Sequence, residues 1–240
     1  MILIAGPCVI ESYDVLRTTA EYIKEKLPPD IEFYFKSSCV KDNRTKLVNY
    51  KGIGFTKGLE LLLKIKEEFG LSITTDFHSP RDIETFGHVV DLIQIPAFLS
   101  MQTSMAEAAA SKNKPVSIKK GQFLGPLEAV KMWKKYKDLG IKKVFLIDRG
   151  TQLGYNQVFM DPRHIAIWKK EGATVLVDIT HPNKNYPGDK LTNSLSLAKS
   201  SLAAEADGIF MEIHPSPEDA LCDAQTQISL NKVYQFFELF

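Results

Sequence analysis

The sequence has few cysteines, almost no net charge and no long apolar run, and each of these features argues against a class of protein. Three cysteines with no CxxC pair (Cys8, Cys39 and Cys222) are typical of a reducing compartment. A net charge of +1 argues against a nucleic-acid binder or a membrane-surface protein. No apolar run approaches the ~18 residues of a membrane-spanning helix, and no basic residue precedes the apolar start of the chain. We therefore expect a soluble, cytoplasmic protein without a signal peptide.

What the sequence does contain predicts a chain with a substantial core. Hydrophobic residues make up 44% of its 240 residues, which excludes disorder. A chain of this length buries roughly 70–75% of its extended surface when it folds as one domain. Length alone allows one or two domains, although barrels commonly use this length for one. Because no linker, low-complexity stretch or internal repeat interrupts the sequence, we expect a single domain over residues 1–240.

Short apolar runs alternate along the chain with segments of helical periodicity. Most of the runs are continuously apolar, which is typical of parallel strands buried on both faces. The predicted strands are Ile2–Ala5, Phe33–Lys36, Ser72–Asp76, Leu92–Ile95, Val116–Lys119, Lys143–Ile147, Thr174–Asp178 and Gly208–Glu212. In the segments between them, apolar residues recur on one helical face, and Pro80 and Pro126 mark helix starts.

Eight strands, each followed by a helix, predict a (β/α)8 barrel of the α/β class. A doubly wound open sheet alternates strands and helices in the same way and is the alternative. The barrel is favoured because no Gly-rich phosphate loop follows the first strand. The polar, turn-rich segment Thr180–Leu191 is predicted to be a loop over the barrel mouth.

Cationic residues collect at the carboxyl ends of the predicted strands, where barrel enzymes carry their active sites. They are Lys36, Lys41, Arg44, Lys119, Lys120 and Arg149. A single one of them is more often a solvated loop charge. Six cations at one barrel mouth repel each other unless an anion lies among them, so together they favour a phosphorylated or carboxylated substrate.

A second set at the same strand ends has the character of metal ligands. Its members are Cys8, His181, Glu212 and Asp223. A thiolate, an imidazole and carboxylates together suit Zn²⁺ or Fe²⁺, although no two of them have a standard short-range spacing. Cys8 by itself is more often a small buried hydrophobe, and we expect Cys39 and Cys222 to be structural. His78 and His214 are each a base, a ligand or a loop histidine, and nothing local decides among these roles.

Eight motifs at the ends of these strands resemble those of a known enzyme family. They are IAGPCVIES (4–12), FKSSCVKDNRT (35–45), ITTDFH (73–78), QIPAFL (94–99), IKKGQF (118–123), DRGTQLGYN (148–156), DITH (178–181) and MEIHPSPEDALCDAQTQ (211–227). In this order they resemble the 3-deoxy-D-manno-octulosonate 8-phosphate synthases over nearly the whole chain. The related heptulosonate 7-phosphate synthases typically carry K-P-R-T-S where this chain has KDNRT (41–45). They also differ at QIPAFL and KKGQF, so the octulosonate enzymes are the closer match.

The resemblance implies a (β/α)8 transferase that condenses phosphoenolpyruvate with arabinose 5-phosphate, a step toward lipopolysaccharide. The positions that match phosphoenolpyruvate contacts are Lys36, Ser38, Lys41, Gln94, Ala97, Lys119 and Arg149. The stretch that takes the aldose phosphate matches Asn43, Arg44 and Thr45. Asp76 and His78 line the same pocket, and with Lys119 they are the residues expected to be catalytic.

The resemblance further implies a metal and an assembly. Cys8, His181, Glu212 and Asp223 match the four ligands of the metal-dependent branch of the family. Metal-independent members carry asparagine at the position of Cys8, so the thiol implies a divalent ion such as Zn²⁺, Fe²⁺ or Mn²⁺. The family also implies a homotetramer in which a neighbouring subunit reaches the site.

Two departures from the family pattern fall on the acceptor side. After QIPAFL the family usually continues C-R-Q-T-D, whereas this chain has SMQTS (100–104), so Met101 stands in place of an arginine. After His181, the segment PNKNY (182–186) replaces a serine and a Gly- and Ser-rich stretch. Our hypothesis is that the acceptor preference has drifted. Two alternatives to the arabinose 5-phosphate enzyme remain, a related synthase with another acceptor sugar and a non-catalytic barrel that binds a phosphosugar.

Overall fold

The centre of the molecule is a closed barrel of eight parallel strands. A computed structural model describes residues 1–44, 46–155 and 157–240. Around the barrel the strands are β1 (Ile2–Gly6), β2 (Glu32–Lys36), β3 (Ser72–Asp76), β4 (Leu92–Ile95), β5 (Val116–Lys119), β6 (Val144–Asp148), β9 (Thr174–Asp178) and β10 (Gly208–His214). Strand β1 pairs in parallel with both β2 and β10, which closes the sheet. The predicted (β/α)8 barrel is therefore confirmed, and the open doubly wound sheet is excluded.

Eight α-helices lie in the described part of the chain. They are α1 (Tyr13–Lys26), α2 (Phe55–Phe69), α3 (Pro80–Phe86), α4 (Thr103–Ala110), α5 (Pro126–Asp138), α6 (Arg163–Lys170), α7 (Lys190–Ala203) and α8 (Tyr234–Phe237). Helix α3 begins as the sequence predicts, because Ser79 accepts a hydrogen bond from the Asp82 amide and Pro80 occupies the first turn. None of the helices in these three segments has the length and apolarity that a membrane crossing requires.

Three short strands and four 3₁₀ helices in the described residues lie outside the predicted pattern. Strands β7 (Thr151–Leu153) and β8 (Gln157–Phe159) pair in an antiparallel ladder after β6, and β11 (Ile228–Ser229) pairs in parallel with the end of β10. The residues of β7 and β8 are largely exposed, so they lack the buried apolar run by which the barrel strands were predicted. The predicted loop Thr180–Leu191 contains a 3₁₀ helix at His181–Asn183, and α7 begins before it ends.

Alternation along the strands separates two hydrophobic layers. One cluster consists only of strand residues and fills the barrel interior: Ile2, Ile4, Tyr34, Leu92, Phe145, Ile147, Leu176 and Phe210. Their strand neighbours, such as Leu3 and Ala5 on β1, belong to the larger cluster between the sheet and the helices. Successive side chains on a strand point to opposite faces, so the parity of a residue identifies whether it faces the interior.

The polar and charged residues at the carboxyl ends of the strands alternate in phase with the interior-facing residues, so they also face the barrel interior. Lys36, Asp76, Gln94, Lys119, Asp178 and Glu212 each lie two residues beyond an interior-facing position of their own strand. Gly6 brings two of these strands together, since a Cβ on Gly6 would overlap the carbonyl oxygen of Lys36. The fold therefore places a ring of polar side chains at the carboxyl end of an otherwise apolar interior.

Candidate active site and metal centre

Two buried lysines converge on the Glu212 carboxylate at the end of β10. Lys36 Nζ lies 3.1 Å from Glu212 Oε1 and also donates to the Cys8 carbonyl, and Lys41 Nζ lies 3.9 Å from the same oxygen. Burial raises the pKa of Glu212, but the charges of Lys36 and Lys41 outweigh it, and the net pKa is below the usual range. Glu212 is therefore an ionised carboxylate at the bottom of the site.

Lys119 is a buried cation held between a carboxylate and an aromatic face. Its Nζ lies 3.0 Å from Asp178 Oδ2 and 3.5 Å from the centroid of the Phe210 ring. Burial lowers the pKa of Lys119, and the charges of Asp178 and Glu212 offset only part of that effect. The ammonium is thus fixed in position and points into the barrel interior.

His181 has the geometry of an oriented metal ligand. Its Nδ1 lies 2.7 Å from Asp178 Oδ2, and Asp178 Oδ1 accepts hydrogen bonds from the His181 and Thr180 amides. This contact favours the tautomer with the proton on Nδ1, in which Nε2 carries the lone pair and lies 3.9 Å from Glu212 Oε2. Carboxylate–histidine pairs of this kind orient the imidazole in many metal sites.

A second group of ligand-type atoms lies between β1 and the loop after β10. Cys8 Sγ lies 3.0 Å from Cys222 Sγ and 3.3 Å from Asp223 Oδ2. Burial raises the pKa of the Cys8 thiol, whereas the hydrogen bond from Cys8 lowers the pKa of the Cys222 thiol. Asp223 also belongs to a compact group with His181 and Glu212, with ligand atoms within 4.8 Å of one another. Asp223 therefore joins two sets of donors.

Asp76 and His78 form a buried pair on the other side of the mouth. His78 Nε2 lies 3.2 Å from Asp76 Oδ2 and 3.0 Å from the carbonyl oxygen of Val40. Burial raises the pKa of Asp76, but Lys41 and His78 outweigh it and hold that pKa well below its usual range. Burial lowers the pKa of His78, and its contacts with Asp76 and Val40 outweigh that and raise it. Asp76 is therefore ionised near neutral pH, and its carboxylate favours the protonated form of His78.

The two adjacent lysines of β5 have different partners, as alternation predicts. Lys119 faces the interior, whereas Lys120 donates to the carbonyls of Gly121, Leu124 and Gly150 and lies 3.6 Å from Asp148. Lys120 is fully buried, so it connects the loops that follow β5 and β6. The next residue after Asp148, Arg149, donates to the Gln122 side chain, and burial lowers the pKa of its guanidinium.

Several buried polar atoms around the mouth have no hydrogen-bond partner within the described chain. They are Ser38 Oγ, Asp76 Oδ1, Gln94 Oε1, Arg149 Nε and Glu212 Oε2, with Arg44 Nε beside them. Buried polar groups are normally paired, and each unpaired one costs roughly 1–3 kcal/mol. Their concentration at one end of the barrel is what a site that takes up a polar ligand requires.

Other predicted residues are brought to this mouth with different environments. Ala97 is buried in a 3₁₀ turn directly after β4, and Asn43 is exposed. Arg44 Nη1 lies 3.0 Å from Cys222 Sγ, so this guanidinium sits beside the ligand-type sulfur atoms. Thr45 lies outside the described residues. Of the two histidines left open, His214 accepts from the Ser216 amide and lies 3.6 Å from Glu11, outside both ligand groups.

Comparison with known proteins places the chain in one family over its full length. A model of the DAHP synthetase I family matches residues 1–240. The chain belongs to this family. It is 39% identical to a 2-dehydro-3-deoxyphosphooctonate aldolase of Legionella pneumophila, an alignment that covers 99% of the chain and 89% of that protein. Proteins of the same name from Desulfotalea psychrophila and Francisella tularensis are 39% and 37% identical, over 97% and 99% of the chain and 86% and 89% of their own lengths.

These relatives confirm the resemblance to the octulosonate 8-phosphate synthases that the eight motifs indicated. Within the DAHP synthetase I family, the names of the relatives thus agree with the octulosonate rather than the heptulosonate group. The family model covers the whole of the closed barrel.

Sequence reasoning gave no role to two residues of the site. Asp178 was one of many strand-end carboxylates, and only the structure shows that it contacts both Lys119 and His181. Cys222 was expected to be structural, but its sulfur lies within a group of ligand-type atoms. In the sequence, only the position of Cys222 directly before Asp223 points to a role at the site. A cysteine next to an aspartate is too common to predict a metal ligand by itself.

Proposed function

We propose that the protein condenses phosphoenolpyruvate with arabinose 5-phosphate to 3-deoxy-D-manno-octulosonate 8-phosphate and inorganic phosphate. The observation that carries the proposal is the convergence of Lys36, Lys119 and Arg149 at the carboxyl end of the barrel, beside buried polar atoms without a partner in the described chain. Fixed cations of this kind neutralise the phosphate and carboxylate of phosphoenolpyruvate at no cost of reorganisation. The names of the relatives support the same reaction.

The chemistry is an aldol-like condensation. C3 of the enol phosphate forms a bond to the aldehyde carbon of the acceptor, and the aldehyde oxygen takes up a proton. Positive charge develops at C2 of the former enol, where water adds and loses a proton. The resulting hemiketal phosphate then breaks its C2–O bond and releases inorganic phosphate, so the atoms of both substrates and one water are accounted for.

The proposed roles of the side chains follow from where their charges lie. Lys119 and Arg149 hold the phosphoenolpyruvate anion and fix the face that C3 presents. Lys36 and Lys41 keep Glu212 ionised, and Gln94 and Ser38 offer unpaired polar atoms to the bound substrate. His78, whose protonated form Asp76 favours, adds positive charge where the aldehyde oxygen becomes an alkoxide.

The site residues fit a divalent metal ion. Cys8, His181, Glu212 and Asp223 would hold it: a thiol, an imidazole whose Nε2 is free, and two carboxylates, one with an unpaired oxygen. When bound, such an ion supplies a Lewis acid for an acceptor oxygen or for water. The soft sulfur and borderline nitrogen suit Zn²⁺ or Fe²⁺, and the carboxylates also accept Mn²⁺.

A second candidate keeps the reaction and changes the acceptor sugar. It is favoured by Met101, which is exposed at the position where the family pattern has an arginine, and by the PNKNY segment (182–186). The proposal further includes one domain over residues 1–240, a cytoplasmic location suited to phosphorylated metabolites, and a homotetramer. Exposed apolar side chains at Phe98, Phe123 and Leu127, after the ends of β4 and β5, offer a face for such an assembly.

The test is phosphate release from phosphoenolpyruvate with a panel of phosphorylated and unphosphorylated aldoses, with and without a chelator. We expect rapid release with arabinose 5-phosphate or one other aldose, abolished by the chelator and restored by Zn²⁺, Fe²⁺ or Mn²⁺. No release with any aldose would contradict the enzyme and favour a phosphosugar-binding barrel. Full activity after exhaustive chelation, with no metal found by elemental analysis, would contradict the metal while leaving the condensation intact.

A further inference from the structure

We propose that Cys222 is a second thiolate ligand of the metal centre, which makes the centre a two-sulfur site. This inference rests on the metal-dependent form of the proposed function and adds a ligand to its four residues. Its basis is the immediate contact of two buried thiols with the carboxylate that also faces His181 and Glu212.

The distances among the three donors fit a shared ion. Two thiolates bound at about 2.3 Å to one ion can be at most about 4.6 Å apart, and the Cys8 and Cys222 sulfur atoms are 3.0 Å apart. Asp223 Oδ2 lies 3.3 Å from the first sulfur and 3.5 Å from the second. An ion that binds Cys8 and Asp223 on the side that faces Cys222 is therefore within reach of the Cys222 sulfur as well.

Hydrogen bonds hold the loop that carries Cys222 beside β1. The short distance between the two sulfur atoms is therefore stabilised by contacts outside the thiols themselves. Gln227 accepts a hydrogen bond from the Cys8 amide and donates one to the Cys222 carbonyl, at 3.0 Å and 2.9 Å. The Leu221 amide donates to Glu11 at 2.9 Å. Asp223 adopts a left-handed backbone conformation with φ of 48°, stabilised by the amides of Thr226 and Gln227, which donate to its carbonyl.

Charge balance also favours a second thiolate. Two thiolates and two carboxylates exceed the charge of one divalent ion by two. Three cations compensate: Arg44 donates to Cys222 Sγ at 3.0 Å, and Lys36 and Lys41 lie 3.1 Å and 3.9 Å from Glu212. Arg44, which family resemblance assigns to the aldose phosphate, thus also contacts the sulfur that would carry the extra negative charge.

A second thiolate predicts the metal preference. Thiolates favour soft ions such as Cd²⁺ and Zn²⁺ over hard ions such as Mn²⁺. Replacing the sulfur of Cys222 with a hydroxyl therefore lowers affinity for Cd²⁺ by at least about 10-fold and affinity for Mn²⁺ much less. The ratio of the two affinities distinguishes the loss of a ligand from general damage to the site, because general damage would lower the affinities for both ions equally.

The direct test is the sulfur-to-cobalt charge-transfer absorbance of the full chain loaded with Co²⁺, because its intensity scales with the number of bound thiolates. We expect Cys222→Ser and Cys8→Ser each to lose about half of the intensity per bound ion. Cys39→Ser, which changes the remaining buried thiol outside both donor groups, is the matched control and leaves the band unchanged. X-ray absorption of the unmodified protein loaded with Zn²⁺ should find two sulfur ligands, a readout that needs no variant.

The outcomes are separable. A full band in Cys222→Ser, its complete loss in Cys8→Ser and one sulfur in the zinc spectrum would overturn this inference and leave the four-ligand site. Absence of stoichiometric Co²⁺ and Zn²⁺ binding to the unmodified protein would contradict the inference together with the metal-dependent part of the proposed function. Aldose-dependent phosphate release, measured on the same preparation, would still report on the condensation itself.

Discussion

His181 is held in place by Asp178, with 2.7 Å between its Nδ1 and Asp178 Oδ2. The same carboxylate oxygen lies 3.0 Å from Lys119 Nζ. Burial raises the pKa of Asp178, but His181 and Lys119 outweigh it, and the net pKa is well below the usual range. One ionised carboxylate therefore positions a ligand of the metal centre and a cation of the substrate clamp.

Asp178→Asn is expected to lower metal affinity by about 10- to 100-fold, because the amide no longer holds the proton on His181 Nδ1. Zn²⁺ affinity measured by competition with a chelating dye checks this. Asp148→Asn is the matched control, since Asp148 is also a buried carboxylate at a strand end but contacts Lys120 instead of the site. Equal losses in the two variants would mean that Asp178 acts on the fold alone.

Substitutions of Lys119 and Lys120, at the end of β5, are expected to have different effects, one on catalysis and the other on stability. Lys119→Met removes a cation from the substrate mouth and should lower kcat/KM by on the order of 10²-fold, or ~3 kcal/mol of transition-state stabilisation. Lys120→Met leaves Asp148 and three carbonyls without their donor and should cost about 3 kcal/mol of stability, with a smaller effect on kcat/KM in the folded fraction. Steady-state kinetics and urea unfolding of both variants separate the effects. Equal kinetic losses would show that the assumed strand register is wrong.

The Asp76–His78 pair gives a pH dependence of stability with a definite sign. The pKa of His78 is raised above 6.5 in the folded protein, so the pair contributes fully below that pH and its contribution is lost as the pH rises through the raised value. His78→Gln should therefore destabilise the protein more at about pH 6 than at about pH 9. Urea unfolding at both pH values measures this, with the exposed His88→Gln as control. A destabilisation that does not change with pH would contradict the ion pair.

The acceptor hypothesis predicts a gain for one substitution. Met101 is exposed, and a neighbouring cation already contacts its backbone, since Lys135 Nζ donates to the Met101 carbonyl at 2.8 Å. Met101→Arg should improve kcat/KM for arabinose 5-phosphate by about 10- to 100-fold, the ~1.5–3 kcal/mol of one charge-assisted contact to phosphate. Lys184→Ala tests the exposed lysine of the PNKNY segment (182–186) as a substitute for the missing arginine. Efficient native use of arabinose 5-phosphate, unchanged by Met101→Arg, would show that the substitution is neutral.

The barrel was predictable because its signal is local. Each strand is a short apolar run between segments of helical periodicity. The predicted bounds of all eight barrel strands lie within two residues of the observed ones. Alternation along β5 also requires Lys119 and Lys120 to point to opposite faces, and the structure shows that Lys119 is the one that faces the interior. The sequence does not predict the paired strands Thr151–Leu153 and Gln157–Phe159, since their residues are not buried and leave no apolar pattern.

The site was predictable only as a set of strand-end residues, and its internal contacts were not. Cys8 and Cys222 are separated by almost the whole sequence, and barrel closure between β1 and β10 brings them together. The link from Asp178 to both Lys119 and His181 likewise depends on three-dimensional distances that no spacing encodes. The residue types therefore predict the chemistry of the site, but the barrel topology determines which of these residues contact each other.

The most direct test of the account is the fate of phosphoenolpyruvate labelled with ¹³C at C2, incubated with arabinose 5-phosphate and the zinc-loaded protein. The account predicts that the enol signal is replaced by the hemiketal carbon of an eight-carbon 2-keto acid, with one phosphate released for each molecule formed. Phosphate release with labelled pyruvate as the product, or an unchanged enol signal with every aldose offered, would contradict it.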